Sequence, residues 1–266
     1  MGRNKGMTLV EVLVALVVSS LLIAALYSSF ISQQKSYAVQ DQVVDVQQTL
    51  RGAIDRMTRE IRMAGYGGKI LKAFGNVNSF TQIITPVNGT RDSITILVAD
   101  EVAKLSQNAA AGSNQLELNV PEASTIFDTG SKKYLCLNGQ NNYTVQGVSG
   151  STVTLASPLQ EDHLIDESVA LVKAITYRMV PGTMDLVRDE NTGAGGQILA
   201  EDVESVQIRY TLASGAVVES PANPEEIRMV SVSLTIRTRL PSQEHPGVGY
   251  LIRTMTSDIE VRNLGL

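Results

Sequence analysis

Between Met7 and Ile31 the chain is almost wholly apolar apart from Glu11, and from Val12 to Gln34 it holds 23 residues without a formal charge. At the helical rise this run makes roughly 34 Å, enough to cross a bilayer core. The pattern then thins to a stripe: Val39, Val43, Val46, Leu50, Ile54, Met57, Ile61 and Ala64 recur at steps of three or four. Asp41, Asp45, Arg51, Asp55, Arg59 and Arg62 take other faces. Arg51, Asp55 and Arg59 alternate in sign four residues apart, a ladder worth a few tenths of a kcal/mol per pair. No proline precedes Pro86. One helix is therefore predicted from about Thr8 to Ala64, roughly 85 Å long, ending where Gly65 and Gly67-Gly68 supply a left-handed cap and a turn. The stripe fits packing on the chain's own sheet better than a coiled coil, because its heptad-like spacing lasts only about three and a half repeats. Gly52, inside the helix, costs about 1 kcal/mol against alanine and marks either close packing or a flexible point.

Beyond Gly68 the period falls to two. Val230 to Arg237 alternates apolar and polar positions throughout, which predicts a strand with one buried and one wet face. Tyr143 to Val148 and Ser151 to Ala156 flank Ser149-Gly150, a two-residue hairpin signal. Further strands are predicted at Ser93 to Ala99, Gln115 to Val120, Val169 to Met179, Met184 to Val187, Val203 to Leu212 and Tyr250 to Val261, and their short connections favour antiparallel pairing. The fold class expected is α+β, with a long amino-terminal helical spine packed on an antiparallel β-rich globular domain. The expected organisation is a leader at residues 1–6, a membrane-crossing half of the helix at 7–34, an amphipathic half at 35–66 and an extracytoplasmic domain at 67–266.

Glu11 is the anomaly in the apolar run. A carboxylate in a spanning segment is expensive and usually has a partner and a task. The basic leader Met1-Gly2-Arg3-Asn4-Lys5-Gly6 precedes it, and Gly6 is the small residue at the charge-to-apolar junction. A secretory signal peptide is cut after its apolar region; a cut between Gly6 and Met7 instead leaves the apolar helix on the product. Met7 then carries a new amino group, and the better partner for Glu11 is that amine on a neighbouring helix, which fixes one axial offset between subunits. Arg3 and Lys5 lie before the run and the next basic residue is Lys35, so the leader stays cytoplasmic and the carboxyl-terminal domain crosses.

Gly6-Met7-Thr8-Leu9-Val10-Glu11 with its apolar stretch resembles the class III signal of type IV prepilins and type II secretion pseudopilins. The usual first mature residue there is Phe, where this chain has Met7. Three further blocks, Arg59 to Tyr66, Leu199 to Tyr210 and Val261 to Leu264, resemble the PilW group of minor pilins, which are similar to J-type minor pseudopilins. The resemblance implies a pilin-like fold, cleavage after Gly6 by prepilin peptidase, methylation of Met7, and a place for Glu11 in subunit assembly and register. It implies as partners other minor pilins, the major pilin and the inner-membrane assembly platform, with a role in priming pilus assembly and in the tip complex, and scope for a tip adhesin. The expected location is the inner membrane, single pass with a periplasmic domain, and afterwards the filament or its tip. A J-type pseudopilin, or a signal-anchored envelope binding module or enzyme, is the alternative.

Charge and chemistry narrow this further. The chain has 22 basic and 27 acidic residues. Loss of Arg3 and Lys5 with the leader brings the net charge to −7, which disfavours nonspecific binding of nucleic acid. Lys132-Lys133 and the Arg237, Arg239 pair read as solvated strand edges. Cys136, the one cysteine, excludes an intrachain disulfide and reads as a small buried hydrophobe between Leu135 and Leu137. His163 and His245 stand in no metal-ligand or nucleophile spacing, and no phosphate-binding glycine loop opens a helix. The acidic doublets Asp100-Glu101, Glu161-Asp162 and Asp189-Glu190, and the oxygen-rich segment from Asp185 to Asn191, lack the spacing of a calcium loop. The expectation is a structural protein with no cofactor, no metal and no catalytic residues.

Overall fold

The computed structural model describes residues 8–241 and 249–264. The chain divides into two compact units, one formed by Met1–Gln48 with Arg237–Ile252 and the other by Thr49–Ile236 with Arg253–Leu266. In chain order the elements are helix α1 (Leu9–Arg62), helix α2 (Ile70–Phe74), and strands β1 (Ile84–Val87), β2 (Ser93–Lys104), β3 (Gln115–Glu117), β4 (Tyr134–Leu137), β5 (Asn141–Ser149), β6 (Thr152–Leu155), β7 (Ser168–Met179), β8 (Leu186–Asp189), β9 (Gln197–Ala200), β10 (Val203–Leu212), β11 (Val217–Val218), β12 (Ile227–Arg237) and β13 (Ile252–Glu260).

Helix α1 runs unbroken for 54 residues, about 81 Å at the standard rise. In the first unit its side chains are exposed from Leu9 to Phe30, and Val39 and Val46 are the first to be buried. Gln42 Oε1 accepts the Leu240 N–H at 3.2 Å, and the Arg237 guanidinium lies 4.3 Å from the centre of the Tyr250 ring.

In the second unit the helical stripe does what its spacing predicts: Leu50, Ile54, Met57, Ile61 and Ala64 are all buried, joined by Ala53. Each large side chain so placed is worth about 1.5–3 kcal/mol of apolar burial. The ion pair formed on this stretch is Arg56–Glu60 at 2.5 Å, and among the described residues the Arg51, Asp55, Arg59 ladder makes none. Those three side chains point to water, where the gain from pairing does not hold long side chains in one geometry. Gly52 is exposed and an added Cβ would meet nothing within 4 Å, so among the described residues the glycine serves no close packing.

Two antiparallel sheets complete this unit. Nine strands form the larger, ordered β1-β2-β7-β4-β5-β6-β3 with β8 and β9 continuing beside the far half of β7, and four form the smaller, ordered β11-β10-β12-β13. Strand β7 is buried nearly end to end because both faces are covered: Val169 and Leu171 enter one apolar cluster, Ala170, Val172 and Ala174 another. Strand β4 is split in the same way, with Leu135 and Leu137 on one side and Tyr134 and Cys136 on the other. This double burial removes the polar alternation by which a strand is recognised, and β4 was not among the strands expected. Burial pushes the Cys136 thiol up to about 12, in keeping with a structural cysteine.

The two sheets are stitched by Asp92, just before β2. Its carboxylate accepts the Ile208 N–H at 2.7 Å and the Gly89 N–H at 3.0 Å, while its own N–H reaches Val206 O at 3.2 Å. The outer face of the smaller sheet is a hydroxyl ladder, with Thr235 and Thr254 2.9 Å apart and Thr256 donating to Ser233 at 3.1 Å. The expected hairpin lies one residue on, with Gly150-Ser151 as its loop and Gly150 at φ +57°.

Candidate functional site

Gly6 and Met7, the expected processing and methylation residues, lie outside the described residues. The first described residue, Thr8, immediately precedes α1, and Glu11 occupies the third helical position. Thr8 and Glu11 satisfy one another. The Thr8 N–H donates to Glu11 Oε2 at 2.8 Å, the Thr8 hydroxyl donates to the same oxygen at 3.0 Å, and Glu11 N–H donates to Thr8 Oγ1 at 3.3 Å. This reciprocal arrangement is a capping box, which supplies partners for amide groups that the start of a helix leaves open. Its signal, Thr-x-x-Glu before an apolar run, was present in the sequence, and Thr8 was the participant overlooked. Around it Leu9, Val10, Leu13 and Leu16 are all exposed by more than half. The helix is long and apolar enough to cross a membrane.

At the other end of α1 lies a second concentration of charge. Glu60 accepts from Tyr177 Oη on β7 at 2.5 Å, from Arg188 Nε on β8 at 2.9 and 3.1 Å, and from Arg56 Nε at 2.5 Å. Arg188 Nη1 continues to Glu190 at 2.8 Å, Lys173 Nζ meets Glu190 at 2.8 Å, and Lys173 also meets Asp100 at 2.9 Å. Three cations and three anions alternate along this path, and with Arg188 and Lys173 both buried the alternation is what makes their burial tolerable. Burial pulls the Arg188 guanidinium down, but Glu60 and Glu190 more than offset it and hold it above its ordinary value. Burial, and then the Glu60 charge, push the Tyr177 phenol up, so it stays a donor.

The helix end itself is closed by Asn263 and by Leu97 of β2. Asn263 Nδ2 donates to Ala64 O at 3.3 Å, and Gly65 N–H donates to Leu97 O at 2.8 Å. Gly65, Gly67 and Gly68 take φ of +80°, +121° and +69°, as the predicted cap and turn require. At Gly68 a Cβ would stand 2.7 Å from Gln140 O, so the turn is also closely packed.

Of the two histidines, His245 lies outside the described residues. His163 is buried, with Nδ1 2.7 Å from Glu167 Oε2. Among the described residues no three or more His, Cys, Asp or Glu side chains are grouped so as to hold a metal ion.

Against known proteins, the family description "Prokaryotic N-terminal methylation motif" matches residues 1–27. No curated protein matches the sequence significantly. Among solved structures, the chain is similar to a type IV-like pilin, TTHA1219 from Thermus thermophilus, at a TM-score of 0.41 and 11% identity, over 83% of this chain and 98% of that one. The chain thus carries a prokaryotic N-terminal methylation motif, and that motif opens an apolar helix suited to membrane anchoring.

Proposed function

We propose that this chain is a minor pilin of the type IV pilus, of the PilW group, which helps to prime filament assembly and to form the tip complex. The observation that carries the reading is the methylation motif over residues 1–27, set at the head of a helix whose apolar side chains from Leu9 to Phe30 are left exposed by the described residues. Prepilin peptidase cuts between Gly6 and Met7 from the cytoplasmic side, and the Met7 amine is methylated. The helix passes from the inner membrane into the filament, where neighbouring helices cover its apolar surface. Other minor pilins and the major pilin are the partners, and the assembly platform delivers the subunit. Thr8 holds the Glu11 carboxylate in the free subunit; on assembly a neighbouring Met7 amine joins or replaces it, and the stagger between subunits is set by that charge pair.

Intact mass of the amino-terminal peptide from purified protein tests the reading. Loss of six residues with one added methyl group is expected, and a product that keeps Met1 while filaments assemble normally would sink it. Glu11→Ala should be exported and cut yet assemble poorly. Co-purification with pilus components, rather than with secretion components, separates this reading from a pseudopilin.

A further inference from the structure

We propose that the paired loops carrying Leu164 and Ile165 form a docking knob for another protein, one that offers an apolar pocket rimmed by lysine or arginine. The loops span residues 105–113 and 159–167. Ala109 and His163 exchange backbone hydrogen bonds at 2.9 and 2.8 Å, Asp166 N–H reaches Leu105 O at 2.9 Å, and Leu105 N–H reaches Glu167 O at 3.0 Å. Gly112 N–H donates to Leu159 O at 2.9 Å and Leu159 N–H to Ser113 O at 2.7 Å.

Side chains complete the bracing. Leu164 N–H donates to Glu167 Oε1 at 3.0 Å, Ile165 N–H to Asn108 Oδ1 at 2.8 Å, and Ala111 N–H to Asp162 Oδ1 at 2.7 Å, while Glu167 N–H reaches Leu164 O at 3.2 Å. Every backbone N–H from His163 to Glu167 therefore has an acceptor, and Leu105, Ala109, Leu159 and His163 root the loops in buried surroundings.

On this fixed base the consecutive residues Leu164 and Ile165 are 61% and 53% exposed. A turn facing water ordinarily carries polar residues, and single exposed apolar side chains need no explanation; two adjacent ones on an ordered turn present an apolar surface whose ordering cost is already met by folding. The exposed charged residues of the two loops, Glu161, Asp162 and Asp166, are all anionic. That rim disfavours an anionic lipid surface and a second copy of the same knob, and it favours a partner with cations around its pocket. The inference is independent of the pilin reading, since it does not involve the amino-terminal helix.

The test places p-benzoylphenylalanine at Ala110, exposed beside the knob, in the full chain expressed in its own cells, with the same group at exposed Gln197 as the control. After irradiation the adduct is mapped by mass spectrometry. The expected result is a cross-link to one protein, at apolar residues flanked by lysine or arginine, at least tenfold weaker when Leu164→Ser and Ile165→Ser are combined and retained with Leu164→Met and Ile165→Val. The Ser pair should leave the melting temperature unchanged, because both side chains are exposed. An equal yield with the Ser pair, an adduct on lipid, on a second copy or on a surface without that chemistry, or no yield above the Gln197 control would each overturn the proposal.

Discussion

Arg188 grips the Glu60 carboxylate through its Nε at 2.9 and 3.1 Å, joining strand β8 to helix α1 across 128 positions of sequence. Both side chains are largely withdrawn from water, so the pair depends on the further bonds that complete it: Tyr177 and Arg56 on the carboxylate, Glu190 on the guanidinium. Removing one partner leaves the other buried and uncompensated. Glu60→Ala is therefore expected to destabilise the full chain by about 3–5 kcal/mol in urea melts in detergent, and Tyr177→Phe by about 1 kcal/mol. A Glu60→Ala loss below that of Tyr177→Phe would show that the cluster does not hold the helix to the sheet.

The same cluster gives the unit a pH dependence of known sign. Burial raises the Glu190 carboxyl, but Lys173 and Arg188 outweigh it and hold it below its ordinary 4.5. A depressed native value means that the contribution is present above 4.5 and is lost as pH falls through the lower native value. Glu190→Gln should cost about 1 kcal/mol at neutral pH, a figure moderated by partial exposure. The gap from the parent chain should close as pH drops below 4.5, as measured by urea midpoints across that range. A gap that widened in acid would reverse that sign.

Thr8 and Glu11 can be separated by mutation. Thr8→Val removes the hydroxyl of the capping box and keeps the carboxylate, so it should weaken the start of the helix by about 0.5–2 kcal/mol. Filament assembly should then suffer far less than in Glu11→Ala. Electron microscopy with immunodetection of the assembled subunit compares the two, and equal defects would assign Glu11 to capping alone.

Gly52 and Gly68 should respond to alanine in opposite directions. Gly52→Ala meets open space in a helix interior and should stabilise the isolated chain by about 1 kcal/mol. Gly68→Ala combines φ +69° with a Cβ 2.7 Å from Gln140 O and should destabilise by about 1–3 kcal/mol. Thermal melts of both variants check the pair. If Gly52→Ala stabilises the chain yet impairs assembly, the glycine is there for a neighbour.

The sequence by itself determined the helix, because a 3.6-residue apolar period is a property of neighbours along the chain, and Leu50, Ile54, Met57 and Ile61 are buried as that period requires. It determined β10 and β12 for the same reason, since one wet and one dry face leave a period of two. It also held the Thr8–Glu11 box, a local pattern that was legible and missed. Tertiary structure alone decided β4, whose residues are buried on both faces and carry no alternation, and the pairing of Glu60 with Arg188, whose partners meet only when β8 is laid beside β7. It decided too that Lys173 within an apolar run is tolerated, because Asp100 and Glu190 converge on it from other segments. Periodicity reports which face of an element turns inward; which charge meets which in the interior depends on sheet order and register, and these are fixed by contacts far apart in sequence.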